Sequence, residues 1–370
     1  MSQLKVMVAM SGGVDSSAAA LLLKRQGYAV TGITMQIWPR PDEDSKSCCS
    51  LSAVDDARRV AWKLEIPHYV MNFRDEFADR VIRLFCEEYQ RGRTPNPCVA
   101  CNRWIKFSSL LAKARAMGMD YLATGHYAQI RAAGDSSFEL WRGIVPAKDQ
   151  SYFLFQMGQE ELRHTLFPLG TYTKPEIREI AREAGLSVAD KHDSQEICFV
   201  ESGRYSDFVE SFAGDTPPPG SFRDRSGRVL GTHQGIHRYT IGQRKGLGIA
   251  LGHPVFVTGI DPETNTVVLG ESDELMHNSL IAEDACYVSG EPFSEPVRVS
   301  AKIRSAAPPA GAIAQSLSSG LLRVDFDKPQ RAITPGQAVV LYDGDRVLGG
   351  GTIARVPPSD AGVGNPLDTR

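Results

Sequence analysis

Long apolar runs are missing from this chain: none reaches the roughly 18 residues that a membrane-spanning helix needs, so no membrane partner is expected. A leader-like segment is not expected either. Met1 to Met10 carries one lysine and passes straight into a strand-like run, so no signal peptide is expected and the cytoplasm is the expected compartment. There is no surplus of positive charge: 41 Lys and Arg stand against 44 Asp and Glu, a net charge of −3. That excludes a polycationic arm as the binding device but leaves a local basic face open to nucleic acid. Even pairing of cysteines is absent. An odd 7 in 370 residues argues against a disulfide framework and leaves buried filler, metal ligands or working thiols. No internal repeat is visible. What is present is a globular composition, 42% hydrophobic and 23% charged, in a length that suggests two or three domains at roughly 150 residues each.

The first half alternates strand and helix patterns. Leu4 to Met10 reads as a buried strand broken by Ser11-Gly12-Gly13, and Val14 to Gln26 is helical up to the stop at Gly27. Ala29 to Gln36, Pro67 to Met71 and Tyr121 to Thr124 read as strands. Ser52 to about Leu64, Asp75 to Gln90 and Ser108 to Met117 read as helices, and Thr173 to Glu176 forms a capping box that opens another, running to Gly185. This order implies a doubly wound parallel sheet with helices on both faces, whose ligands sit at the carboxyl ends of the strands. The loops after Met10, Met35 and Thr124 are therefore the places for a site. After Val200 glycine and proline rise and helical periodicity fades. Short strands at Pro254–Ile260 and Thr266–Leu269 suggest a small second domain. Those from about Leu280 through Arg355 suggest a small β-barrel or sandwich. The expected division is 1–200, 201–275 and 276–357, with 358–370 a flexible Pro/Gly/Asp-rich tail.

Ser11-Gly12-Gly13-Val14-Asp15-Ser16-Ser17 lies between a strand and a helix. The glycines let backbone approach an anion, the helix start offers N–H groups and a positive dipole end, and Ser11, Ser16 and Ser17 add hydroxyls. No Gly-Lys-Ser/Thr follows, so transfer of a γ-phosphoryl group is not expected. The Ser-Gly-Gly-Val-Asp-Ser run resembles the pyrophosphate loop of N-type ATP pyrophosphatases. That resemblance implies cleavage of ATP between its α and β phosphates, adenylation of a carbonyl oxygen, and a place for Asp15 in holding Mg²⁺.

Arg93 to Asn102, with its two prolines, reads as a loop carrying the pair Cys98-Val99-Ala100-Cys101. One Cys-x-x-Cys pair cannot fill a tetrahedral zinc site. Cys198, far along the chain in Asp193-Ser194-Gln195-Glu196-Ile197-Cys198-Phe199, is the third candidate. Three thiolates suit a [4Fe–4S] cluster with one open iron, or a chemistry with two working sulfurs. Cys86 and Cys286 read as core or neutral surface residues, and Cys48-Cys49 stand in a charged loop. Arg238, Arg244 and Lys245, among Gly242, Gly246 and Gly248, form a basic loop suited to phosphate contact.

Taken together, these motifs with Ala123-Thr124-Gly125-His126-Tyr127, Lys148-Asp149-Gln150-Ser151-Tyr152, Tyr239 to Gly248, Pro335-Gly336-Gln337 and Gly349-Gly350-Gly351 resemble the tRNA-specific 2-thiouridylase family up to about Arg355. The resemblance implies an ATP-dependent sulfurtransferase that converts the wobble uridine of tRNA to 2-thiouridine, releasing AMP and pyrophosphate. It implies an ATP site at Ala9, Met10, Ser11, Gly12, Gly13, Val14, Asp15, Ser16, Met35 and Gly125. Cys101 corresponds to the family's nucleophile and Cys198 to the cysteine that carries the persulfide, and these two can close a disulfide. Asn96-Pro97-Cys98 corresponds to the segment that meets the target base. His126, Lys148, Asp149, Gln150, Arg304, Ser305 and Gln337 correspond to tRNA contacts. The implied partners are tRNA and a sulfur-donor protein, a cysteine desulfurase or a relay. Two departures stand out: many members carry Asp where this chain has Cys98, and an aromatic is common where it has Ser305. Cys98 keeps open the alternative of a [4Fe–4S] cluster on Cys98, Cys101 and Cys198. A nucleotide-gated tRNA-binding module without chemistry, and an ATP-adenylating ligase with a glutaminase partner, are the rival classes.

Overall fold

A computed structural model of the chain describes residues 3–37, 51–134, 136–191, 197–200, 205–214 and 217–357. Cys48, Cys49, the Asp193–Glu196 half of the second cysteine motif and the 358–370 tail lie outside them.

The amino-terminal strands are β1 (Lys5–Ala9), β2 (Ala29–Gln36), β3 (His68–Asn72) and β4 (Tyr121–Ala123). A hairpin of β5 (Ala128–Ala133) and β6 (Ser137–Arg142) follows, then the short β7 (Thr165–Leu166). The order β3-β2-β1-β4-β7 forms one sheet in which every pairing is parallel. Helices on both faces explain the unbroken apolar run of β1. Val6 and Val8 pack with the helices Val14–Arg25 and Lys174–Glu183, and Met7, pointing the other way, packs with residues of helices over 74–90 and 97–116.

One expectation needs correction here, and one element was not expected. The Arg93–Asn102 stretch is a loop only as far as Asn96. Asn96 Oδ1 accepts from the backbone N–H groups of Cys98 and Val99, and Pro97 takes the first helical position. Proline is tolerated there because that N–H has no helical partner anyway. The helix expected from Ser108 therefore starts at Pro97, and its middle, Cys101–Leu110, is wound in wider turns: Leu111 N–H donates to Lys106 O, five residues back. The unexpected element is the β5–β6 hairpin. Its alternation is weak, and besides its own pairing it joins a strand some two hundred residues away.

That strand belongs to the carboxyl-terminal barrel. A four-stranded sheet comes first: β8 (Gly220–Arg223), β9 (Val229–His233), β10 (Phe256–Asp261) and β11 (Thr266–Gly270), in the order β10-β11-β8-β9. The barrel strands are β12 (Met276–Tyr287), β13 (Val297–Lys302), β14 (Ala310–Ser316), β15 (Leu322–Arg331), β16 (Ala338–Asp343) and β17 (Arg346–Arg355). They run β12-β15-β14-β13-β16-β17 and close through β12–β17, which leaves no free barrel edge. β17 also pairs with β6, Arg346 opposite Trp141 and Val347 opposite Leu140. Among the described residues no helix is long and apolar enough to cross a membrane.

The barrel has an inner core around Leu280, Val299, Val324 and Leu341, but its outer side joins the amino-terminal core. Phe155, fully buried, shares a cluster with Val340, Tyr342 and Val347, and Tyr152 Oη donates to Ala338 O at 2.9 Å. One shared core implies one cooperative unit. Phe155→Ala should cost about 3–5 kcal/mol and shift the unfolding of both regions together. Calorimetry that resolved a separate, unshifted barrel transition would contradict this.

Candidate active site

The chain must turn from β1, buried on both faces, into the helix Val14–Arg25 within a few residues. Met10 N–H donates to Ile33 O at 2.7 Å and holds the strand end in the sheet. Gly12 then adopts φ +69°, and a Cβ there would stand 2.2 Å from Ala53 O, so only glycine fits. Ser11 N–H donates to Ser16 Oγ at 3.1 Å, and the Ser16 and Ser17 hydroxyls donate to Gly13 O at 3.2 and 2.8 Å. These two hydroxyls shape the loop. Gly13 is the N-cap and brings no capping side chain, so the helix start presents backbone N–H groups to an anion. Lys191 Nζ braces the loop from outside, donating to Gly12 O at 3.1 Å and Asp56 Oδ2 at 2.7 Å.

Asp15 is the loop's carboxylate. It accepts from Tyr127 Oη at 2.8 Å, and Lys174 Nζ reaches both its oxygens at 2.8 Å. The Lys174 side chain is 10% and the Asp15 side chain 31% exposed, so this ion pair is partly out of water. The capping box opens the helix that carries it: Glu176 Oε2 accepts from Thr173 N–H at 2.7 Å and the Thr173 hydroxyl from Glu176 N–H. Lys174, Tyr127 and Lys191 were not read as site residues from the sequence. One signal was available. A lysine in the first helical turn opposes the helix dipole, a cost that marks it for another purpose.

Gly125, just past β4, lies against the loop, its missing Cβ being 2.8 Å from Ser16 N and the Asp15 carbonyl carbon. Ala9, Met10 to Ser16, Met35 and Gly125 thus gather at the carboxyl ends of the neighbouring strands β1, β2 and β4. His126 follows, half-buried between the rings of Phe107 and Phe167. Burial first, and the Lys106 charge second, push its pKa well below the usual 6.5. The neutral ring accepts from Lys106 Nζ at Nε2, 3.4 Å away, which leaves Nδ1–H to donate to Thr124 Oγ1 at 2.6 Å.

Cys98 is exposed in the first turn of its helix, and Cys101, a turn on, is half-buried. Cys198 is also half-buried. Cys101 and Cys198 both pack at the rim of the same apolar cluster. Next to Cys198, Phe199 is driven into that cluster, its ring 5.2 Å from Phe85, 5.7 Å from Phe77 and 5.1 Å from Phe208. Among the described residues no three His, Cys, Asp or Glu side chains converge as a metal-binding set. The trio Cys98, Cys101 and Cys198 therefore does not fit a cluster as it stands. Burial pushes the Cys86 and Cys286 thiols up to about 12, in keeping with their expected inert roles.

Several expected RNA contacts are engaged within the chain. The Asp149 side chain, 4% exposed, accepts from Gly143 N–H, Ser151 N–H and the Ser151 hydroxyl. Gln150 Oε1 accepts from Tyr127 N–H at 2.9 Å. Both side chains build the turn after β6, and Lys148 beside them is half-exposed. Gln337 Nε2 donates to Thr94 O at 2.9 Å. Arg238 lies 2.5 Å from Glu210 and is neutralised there, unlike Arg244 and Lys245, which are exposed. Arg304 and Ser305 are exposed, Arg304 Nη2 donating to Arg331 O at 2.6 Å.

Comparisons with known proteins agree with this layout. A family model described as a tRNA methyl transferase HUP domain matches residues 4–202. A tRNA methyl transferase PRC-barrel domain matches 206–271, and an aminomethyltransferase beta-barrel domain 277–353. The tRNA-specific 2-thiouridylase MnmA of Acetivibrio thermocellus is 55% identical over 358 residues, 95% of this chain and 100% of that protein. Its counterpart in Moorella thermoacetica is 55% identical over 354 residues, 95% and 99% of the two chains. That of Clostridioides difficile is 51% identical over 354 residues, 95% and 98%. A parallel sheet with a glycine-turned anion loop after its first strand defines a nucleotide-binding protein of the pyrophosphate-loop type. Within that class, the chain belongs to the tRNA-specific 2-thiouridylase family.

The lowered pKa of His126 has a sign. Below about pH 6.5 the unfolded chain takes a proton that the folded chain refuses, so this residue costs stability as pH falls. His126→Gln should therefore lose less Tm between about pH 8 and about pH 5.5 than the parent. An equal or steeper acid loss in matched melts would refute the assignment.

Proposed function

We propose that this chain is an ATP-dependent tRNA sulfurtransferase that replaces the C2 oxygen of the wobble uridine by sulfur. The observation that carries the reading is the loop with Asp15 at the carboxyl end of the central strand β1, in one chain with two thiols, Cys101 and Cys198, at the rim of one apolar cluster. The uridine C2 oxygen is a poor leaving group. ATP converts it to an adenylate, with the phosphates held by the N–H groups at the start of the helix Val14–Arg25 and pyrophosphate released. Asp15 would hold Mg²⁺ by exchanging its Lys174 contact for the ion, which when bound with ATP would supply charge neutralisation to the pyrophosphate.

A thiol cannot give up its sulfur without breaking a C–S bond, so Cys198 must arrive as a persulfide, loaded by a sulfur-donor protein. Its outer sulfur attacks C2, the C–O bond to AMP breaks, and the base is left joined to Cys198 through an S–S bond. The Cys101 thiolate then attacks the inner sulfur. The electron pair of the broken S–S bond stays with the base sulfur, giving 2-thiouridine and a Cys101–Cys198 disulfide. An external thiol reductant restores both residues. Cys98 faces solvent and forms no three-ligand set with the other two among the described residues, which favours this route over the cluster. Exposed Arg244 and Lys245 supply phosphate contacts for tRNA, in a protein whose net charge of −3 offers no general attraction.

Cys101→Ser and Cys198→Ser should each abolish thiolation while sparing ATP and tRNA binding, and Cys98→Ser should retain near-parental activity without iron. Loss of iron and activity together in Cys98→Ser would favour the cluster. Asp15→Ala should abolish tRNA-dependent AMP formation. AMP release unchanged in that variant would remove the ATP-site assignment, and a parent that forms no AMP with tRNA would point to a binding module.

A further inference from the structure

The segment that leads into the cysteine helix is held from three parts of the fold at once. Arg93 pairs with Glu88 at 2.7 Å on the preceding helix and with Glu283 at 2.5 Å on β12. Thr94 then uses every polar group it has. Its N–H donates to Pro335 O at 2.8 Å, its carbonyl accepts from Gln337 Nε2 at 2.9 Å, and its hydroxyl donates to Thr240 Oγ1 at 3.1 Å. Two residues later Asn96 caps the helix on which Cys98 and Cys101 stand.

Thr240 is not a neutral anchor. It opens the turn that presents the basic loop: Gln243 N–H donates to Thr240 O at 3.0 Å, and Gln243 Oε1 accepts from Thr240 N–H at 3.1 Å. Arg244 and Lys245, both exposed, follow directly. A short path of covalent and hydrogen bonds therefore runs from two exposed cations through Thr240 and Thr94 to the N-cap of the cysteine helix. Barrel contacts at Pro335 and Gln337 hold the backbone of Thr94, and the hydroxyl alone spans to the turn.

We propose that Thr94 is a positioning residue for sulfur transfer: its hydroxyl ties the cysteine helix to the turn at Thr240, so that tRNA phosphates held by Arg244 and Lys245 set the placement of Cys101. This rests on the sulfurtransferase reading above. The physical ground is that a reacting thiol must be held near its target, and small displacements from a distant change cost large factors in rate. ATP cleavage depends on the β1 loop, which this path does not enter.

The test compares Thr94→Val, Thr240→Val, the double variant and Thr94→Ser in single-turnover thiolation, with persulfide loaded beforehand and tRNA and ATP saturating. Each valine variant should slow sulfur transfer about tenfold while pyrophosphate release, tRNA affinity and Tm stay near parental values. The double variant should be no slower than Thr240→Val, which removes the shared bond and also the Thr240 contact with Tyr205. Thr94→Ser, which keeps the hydroxyl, should restore the rate. Unchanged transfer in the valine variants, losses that multiply in the double variant, or a rate loss that merely follows a drop in Tm would each overturn the proposal. A parent protein unable to thiolate would instead overturn the functional reading, and this inference with it.

Discussion

The turn at the carboxyl end of β1 is the constraint around which the rest is arranged. A strand buried on both faces must become a helix within a few residues, and the backbone at Gly12 passes so close to Ala53 that no side chain fits. Gly13 at the N-cap leaves the first N–H groups of the helix without a capping side chain, and Asp15 on the first turn stands in a partly dry corner. A partly buried carboxylate is steadied by a counter-charge. The helix Lys174–Glu183 supplies it, and Lys191 steadies the loop's outer side. Sheet, loop and both lysines therefore form one hydrogen-bonded unit.

The thiols depend on a different constraint, the apolar cluster shared by the amino-terminal region and the barrel. Cys198 is held by its neighbour Phe199, buried among aromatic rings, and Cys101 by a helix whose inner face, Ile105, Phe107 and Leu110, packs into the same cluster. The β6–β17 pairing and the buried Tyr152 bond to Ala338 keep the barrel against this core. Closure of the barrel is thus part of what holds the cysteine helix, through Glu283, Pro335 and Gln337.

Charge follows the same division of labour. A nearly neutral chain cannot attract RNA by its total charge, so a few cations must be kept available. Arg238 fails that requirement because Glu210 neutralises it, while Arg244 and Lys245 on the next turn stay exposed. Asp149 and Gln150, though they stand in a polar loop motif, spend their hydrogen bonds on the chain itself.

Local rules made much of this legible in the residues alone. The parallel sheet follows from alternating strand and helix periods, the loop from its glycines between strand and helix, and the capping box from Thr173 and Glu176, because each depends on neighbours within a few positions. The pairing of Lys174 with Asp15, the hairpin that joins the barrel, the inward turn of Asp149 and the meeting of Thr94 with Thr240 and Gln337 were decided only in three dimensions. Apart from Asp149, whose partners Gly143 and Ser151 are close in the chain, each joins residues far apart, and no periodicity or spacing encodes which distant partner a side chain will find. Even the helix start at Pro97 shows the boundary: two prolines argue for a loop locally, and it takes the Asn96 cap, with the packing of the helix into the shared core, to turn the second into the first residue of a helix.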